Sequence, residues 1–396
     1  MKIAICGAGV AGPSLAHWLL RGGHEVTLIE IAPTFRDGGY IVDFWGLGYD
    51  IAERMGILPA VLDAGYSIRR VAAVDDKGRE IAGFSADAFR KAANGRFTSL
   101  ARGDLARSIF DTVKDRAELL FGETILRVRE SEKALSIQLS SGGWREFDLL
   151  VGADGLHSAV RRHVFGPDGR FEVPLGYYVA AWEAPGYRRR DELTYLTHTR
   201  PGREMARFAL RGDRTLFLFM FEASALPEEP DSRADTEAAL RRIFAGDGWE
   251  ADAMLETLPH AEELYLDRVS QIVMPSWSSG RTVLVGDAAA CVSLLAGEGA
   301  GLGMAEAYVL AGELATGDHQ RAFERYEARL RPLLTRKQAS ARRFATYFAP
   351  KTAMGVRARN LMMRLLSVPV LGEWLVARDL RDDFDLPDYP FAPPSS

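Results

Sequence analysis

The chain has 396 residues, of which 47% are apolar and 26% charged, with a formal net charge of -5. This is the composition of a folded globular protein of roughly two to three domain-sized units. It argues against a nucleic-acid surface, since no basic block interleaves with aromatics. It also argues against a membrane span, which needs ~20 apolar residues in a row, and against a disulfide framework or a structural zinc, since Cys6 and Cys291 stand alone; no metal site is expected.

The first thirty residues read as β-α-β. "KIAIC" is a short buried strand, "AGPSLAHWLLRGG" has helical apolar spacing at Leu15, Trp18 and Leu19, and "EVTLIE" is the next strand. A strand that begins at Lys2 leaves no leader before it, so a cytoplasmic chain is expected. Between strand and helix lie Gly7, Gly9, Ala11 and Gly12, a GxGxxG pattern. Gly7 permits the tight turn, Gly9 lets a pyrophosphate approach the backbone, and Gly12 lets helix and strand pack closely. Glu30, ending the second strand, can bond a ribose hydroxyl pair and disfavours a 2′-phosphate.

Residues 33–64 read as loop, then helix. "SIRRVAAVDDKGREIAGF" reads as a hairpin turning at Asp76–Gly78, "RGDLARSIFDTV" as a helix, and residues 117–155 as several strands ending in a second glycine turn. From about 170 to 275 the texture is β-rich and aromatic, with turns at "RPGR" and "RGDR". The chain returns to α/β with "RTVLVGDAAA" and ends in helices at about 303–315, 318–348 and 352–380. The last of these, apolar and basic, is expected to pack on the body of the protein rather than on a membrane.

Two further segments, "GADGLHSAVRR" (152–162) and "GDAAACVSLLAGEGAG" (286–301), stand with the GxGxxG in one order. Together the three resemble the fingerprints of FAD-dependent monooxygenases of the para-hydroxybenzoate hydroxylase type, over residues 2 to about 315. The resemblance implies an α/β fold: a Rossmann-like FAD-binding domain (1–169 and 276–330), an inserted antiparallel β-sheet substrate domain (170–275), and a C-terminal helical region and tail (331–396). It also implies an enzyme that uses NADPH or NADH and O2 to hydroxylate an aromatic or polyketide-like molecule through a flavin C4a-hydroperoxide. Two alternatives stay open: an oxidase, dehydrogenase or oxidative cyclase of the same fold, and a flavin-binding protein without turnover. A monomer or weak dimer is expected.

By the same resemblance, Gly286 and Asp287 serve the ribityl or pyrophosphate end of FAD. Gly297, Gly299, Ala300 and Gly301 lie under the isoalloxazine, Asp154 near the pyrophosphate, and Arg102 against the cofactor. "GGYIVDFWG" is similar to a segment of tetracycline-inactivating flavin monooxygenases, which adds Arg36, Gly39 and Asp43; Asp43 bonds a ribityl hydroxyl or merely caps a turn. The chain departs from the family at Ala290, where histidine is usual, and at Leu294, where proline is frequent. Cys291 reads as a small buried residue, with a covalent flavin bond as the alternative.

No catalytic residue is assigned. His157 and His163 are expected at the surface, and Arg161 is either structural or functional. An aromatic pocket is sought on "TLFLFMFEA", where Phe217, Phe219 and Phe221 share a face, and at Trp182, Tyr195, Phe208 and Trp45.

Overall fold

The computed structural model describes residues 1–36, 38, 40–132, 134–188, 191–294, 297–368 and 383–391, with the side chains of 344–346 left aside. Two sheets organise it. The first is six-stranded: β17 (Ser278–Ser279), β18 (Thr282–Leu284), β11 (Leu149–Gly152), β1 (Lys2–Cys6), β2 (Glu25–Glu30) and β7 (Glu118–Phe121), in that spatial order. From β18 to β7 every pairing is parallel. The near-continuous apolar runs of β1 and β11 follow from burial on both faces. Around this sheet lie α1 (Ala11–Arg21), α2 (Gly46–Met55), α3 (Leu58–Ala64), α5 (Arg102–Phe110), α6 (Ala159–Val164), α9 (Asp287–Ala290), α10 (Gly299–Leu314) and α11 (His319–Phe348).

The second sheet has seven strands in the order β16 (Leu264–Ile272), β12 (Glu172–Pro185), β15 (Arg214–Glu222), β14 (Arg203–Ala209), β13 (Thr194–Arg200), β4 (Arg70–Val74) and β5 (Glu80–Ser85). Its last two strands come from the early part of the chain. The β4–β5 hairpin, legible in sequence, pairs in parallel with β13 (Thr194 opposite Arg70), so this sheet is not confined to residues 170–275. Helix α4 (Asp87–Ala92) follows the hairpin, and α12 (Ala353–Leu366) packs on it. On the opposite face α7 (Arg233–Phe244) and α8 (Ala251–Leu255) close a core with Phe217, Phe219 and Phe221.

Two small sheets complete the fold: β8 (Ile125–Glu130), β9 (Leu135–Leu139) and β10 (Trp144–Phe147), and the pair β3 (Ile41–Trp45) with β6 (Phe97–Ala101). β3 lies where the sequence reads as loop. The helix expected over 352–380 ends at Leu366, and residues 369–382 lie outside the described set. Among the described residues no helix is long and apolar enough to cross a membrane.

Candidate active site

A cavity of about 1100 Å³ opens between the carboxyl ends of the parallel strands and the inner face of the seven-stranded sheet. Open α/β sheets bind ligands at that edge. The volume exceeds the ~300–1000 Å³ that suits one drug-sized ligand, leaving room for two.

Gly7 closes the first turn at φ +105°, and a Cβ there would collide with the Ala153 carbonyl. Gly12 faces the carbonyl of Gly7 and likewise has no room for a side chain, so it serves helix–strand packing and not the cavity wall. Gly9, Ala11, Arg36 and Arg102 do line the cavity, and a Cβ at Gly9 would lie 3.5 Å from the Arg102 guanidinium. Arg102 opens α5, its N–H donating to the Tyr40 carbonyl at 2.9 Å. The Glu30 carboxylate accepts from the amides of Ala8 (2.8 Å) and Ala32 (2.9 Å). It thereby fixes the glycine loop, while its remaining lone pairs stay available.

Asp154 lines the cavity but is used locally: it accepts from Ser158 Oγ (2.5 Å) and from the amides of Ala159 (2.7 Å) and Val160 (3.2 Å), capping α6. Arg161 proves structural. Fully buried, it donates to the carbonyls of Ala288 (3.1 Å) and Leu156 (2.5 Å) and to Asp168 (2.6 Å), tying α6 to α9.

The strand-to-helix turn at Gly286 has φ +67° and starts α9 with Asp287. Burial pushes the Asp287 carboxyl upward, while a hydrogen bond with Cys291 and the Arg102 charge pull it down. Gly297, Gly299 and Ala300 border the cavity at the first turn of α10, whose free amides favour negative charge. Gly301 does not. It packs on α2, where a Cβ at Gly48 would lie 2.6 Å from the Gly301 Cα. Gly303 sits near Ala11 and Gly286 in the same way. At Gly301 the small residue makes room for a neighbouring helix, while Gly303 also borders the cavity. Asp43 lines the cavity from β3, accepting from Ser99 Oγ at 2.5 Å, with its carboxyl raised by burial. Gly39 lies outside the described residues.

Sequence reasoning missed Glu306. Fully buried on α10, it accepts from the Gly286 amide (2.8 Å) and the Tyr326 hydroxyl (3.0 Å). Burial pushes its pKa up to about 8. Its signal was an acid inside the apolar run "GLGMAEAYVL".

The aromatic face sought on β15 points the other way. Phe217, Phe219 and Phe221 pack on α7 and α8, with Trp182 against the first two. The alternate residues of the strand, Leu216, Leu218 and Met220, line the cavity. Cross-strand register extends this roof: Leu216 lies opposite Phe208, with Tyr195 and Val71 continuing the row. Trp45 also lines the cavity, its ring stacked on Phe97 at 6.0 Å.

Ala290 is buried and Leu294 half-buried in the wall. The Cys291 thiol lies 3.7 Å from the Ser270 carbonyl, and burial raises its pKa well above the ordinary value. A thiol so held is a poor nucleophile. His157 is exposed and pairs with Asp267 (2.9 Å), which raises its pKa. His163 meets the Ile125 carbonyl at 3.0 Å and is exposed, as expected.

The model of the FAD binding domain family matches residues 1–336. A flavin-dependent monooxygenase from an unknown prokaryotic organism is 34% identical over 343 residues, covering 85% of this chain and 88% of its own length. The chain belongs to the FAD-dependent monooxygenase family. Other members are similar over more of its length. The FAD-dependent monooxygenase asL4 of Sarocladium schorii is 30% identical over 98% of each chain. The crystal structure of the tetracycline destructase Tet(55) superposes with a TM-score of 0.83 at 30% identity over 98% of each chain.

This FAD-dependent monooxygenase fits its cofactor on its own geometry. Gly7, Gly9 and Ala11 line one end of the cavity with exposed backbone beside Arg102, and the cavity runs from there to the first turn of α10.

Proposed function

We propose that this monooxygenase hydroxylates a flat, aromatic or polyketide-like molecule with NADPH or NADH as reductant and O2 as oxidant. The observation that carries the reading is the single cavity joining the glycine turn to an apolar roof on the second sheet.

Gly7, Gly9 and Ala11 would receive the pyrophosphate, Glu30 a ribose, and Arg36 and Arg102 the phosphate charge. Asp287 and Asp43 would hold the ribityl end, and Gly297, Gly299 and Ala300 the flavin edge. Bound FAD supplies the electron transfer and oxygen activation. The chain's own residues do the rest. Tyr195, Phe208, Leu216 and Leu218 hold an apolar ring and exclude water, and the amides opening α10 favour negative charge at that end.

The test is consumption of NADPH or NADH by the FAD-loaded protein with phenols and tetracycline as probes under oxygen-18 gas. Ligand-stimulated consumption with one labelled oxygen in the product is expected. Stimulated consumption that yields only hydrogen peroxide, or an unlabelled oxidised product, would overturn hydroxylation in favour of an oxidase or cyclase. A flavin that no ligand causes to turn over would mean binding without catalysis.

A further inference from the structure

The cavity wall contains two enclosed ion pairs that the reading above does not use. One belongs to the roof, where Glu204 of β14 meets Arg359 of α12 at 2.5 Å. The other stands at the cofactor end. Lys337 Nζ of α11 lies 2.5 Å from Glu298 Oε2, with side chains 12% and 17% exposed, and both residues line the cavity.

Glu298 is the N-cap of α10, yet its carboxylate makes no capping bond to that helix and turns to Lys337 instead. Its carbonyl accepts the first helical bond, from the Leu302 amide at 3.0 Å. The amides of Gly299, Ala300 and Gly301 precede that bond and have no helical acceptor. The magnitudes decide what this arrangement does. A helix N-terminus carries roughly half a positive charge. A carboxylate at the N-cap carries a full negative one, so Glu298 alone would reverse the field that the amides set up. A second carboxylate, Asp287, stands beside the same turn: a Cβ on Gly299 would lie 3.7 Å from its Oδ1. The Arg102 charge acts on Asp287, and Lys337 meets Glu298. With each carboxylate offset by a cation, the helix sets the sign of this end.

We propose that Lys337, by neutralising Glu298, keeps this end of the cavity favourable to negative charge and so makes the bound flavin easier to reduce. Two electrons and one proton taken up by FAD leave one added negative charge on the ring, and that is the charge the helix end meets. The proposal rests on the first turn of α10 facing the flavin edge, as read above.

The test is the midpoint potential of bound FAD, measured without oxygen by dye equilibration with xanthine and xanthine oxidase. It is run at pH 8, which keeps Glu298 ionised once its partner is gone. Two unit charges about 10 Å apart at an effective dielectric of ~20 move an equilibrium about tenfold, which is ~30 mV for a two-electron couple. Lys337→Met lowers the potential by about that much, Glu298→Gln raises it, and the double variant returns near the parent. Lys337→Arg keeps the parent potential. A pair that only latched α11 to α10 would move both single variants in the same direction or not at all, and either result overturns the proposal. Should Lys337→Met fail to fold, Glu298→Gln decides alone, and a potential that does not rise overturns the proposal. Ala300→Leu, bulky and uncharged, checks the place of the flavin and weakens FAD binding at least about tenfold. Unmoved potentials with that weakened binding refute the role of Lys337 alone. Unmoved potentials with binding intact refute the placement of the flavin as well. No measurement needs substrate or oxygen, so the hydroxylation reading stands or falls separately.

Discussion

Glu306 offers the sharpest test of how the nucleotide-side turn is held. Its carboxyl stays protonated in the folded protein up to about pH 8, against an ordinary value of 4.5. The unfolded chain releases that proton near the ordinary value. Between these limits the folded state binds one proton more than the unfolded state, so stability falls as pH rises. The slope is about 1.4 kcal/mol per pH unit for one proton. The whole window therefore costs roughly 5 kcal/mol, undiluted by solvent because the side chain is 2% exposed. A chain of 396 residues unfolding as one unit has an unfolding entropy of about 0.8 kcal/mol/K. Each pH unit then lowers the melting temperature by about 1.7 °C. Glu306→Gln keeps an acceptor for the Gly286 amide and the Tyr326 hydroxyl but cannot ionise. Its melting temperature should gain on the parent by about 6 °C between pH 4.5 and 8, measured by scanning calorimetry across that range. A gap between the two proteins that does not change with pH would refute the reasoning, because it would mean that Glu306 titrates alike folded and unfolded.

Other residues give further expectations. Arg161→Met should destabilise by about 2–4 kcal/mol in urea unfolding, since it leaves the carbonyls of Ala288 and Leu156 without their donor, while Asp168 keeps Arg162. Phe219→Ala should cost about 3–5 kcal/mol of stability with unchanged ligand affinity. Leu218→Trp, on the other face of the same strand, should weaken ligand binding at least about tenfold by filling the cavity; paired calorimetry and ligand titration distinguish the two. Gly12→Val should abolish FAD retention on gel filtration, because its side chain would push α1 off the Gly7 carbonyl. Cys291→Ala should leave FAD content unchanged, and acid precipitation should release all the flavin from the parent protein; flavin left on the pellet would restore the covalent alternative.

The β-α-β start was legible in sequence because each of its constraints is local: apolar runs, glycine spacing and an acid at the strand end. β3 was not, because Ile41–Trp45 is glycine-flanked and its partner strand begins more than fifty residues later, at Phe97. The alternation of Phe217, Phe219 and Phe221 was visible, but a period of two does not say which face meets a cavity. α7 and α8 decide that. The run from Gly286 to Gly303 correctly signalled close approach, yet small residues read alike whether the neighbour is a ligand or a helix. Gly301 answers to Gly48. Glu204 and Arg359 lie 155 residues apart, and no local pattern joins them.

The borrowed hairpin sets the terms on which this enzyme could be recombined. A segment cut at 170 and 275 looks like a transferable cassette, but it leaves β13 with one bare edge where β4 belongs. Exposed edges pair with whatever strand they meet, so such a cassette would aggregate or misregister. It would also separate Glu204 from Arg359, because α12 lies outside the cut. A chimera that exchanges the roof intact has to carry three pieces of the parent together: the hairpin at 70–85, the sheet itself, and the helix at 353–366.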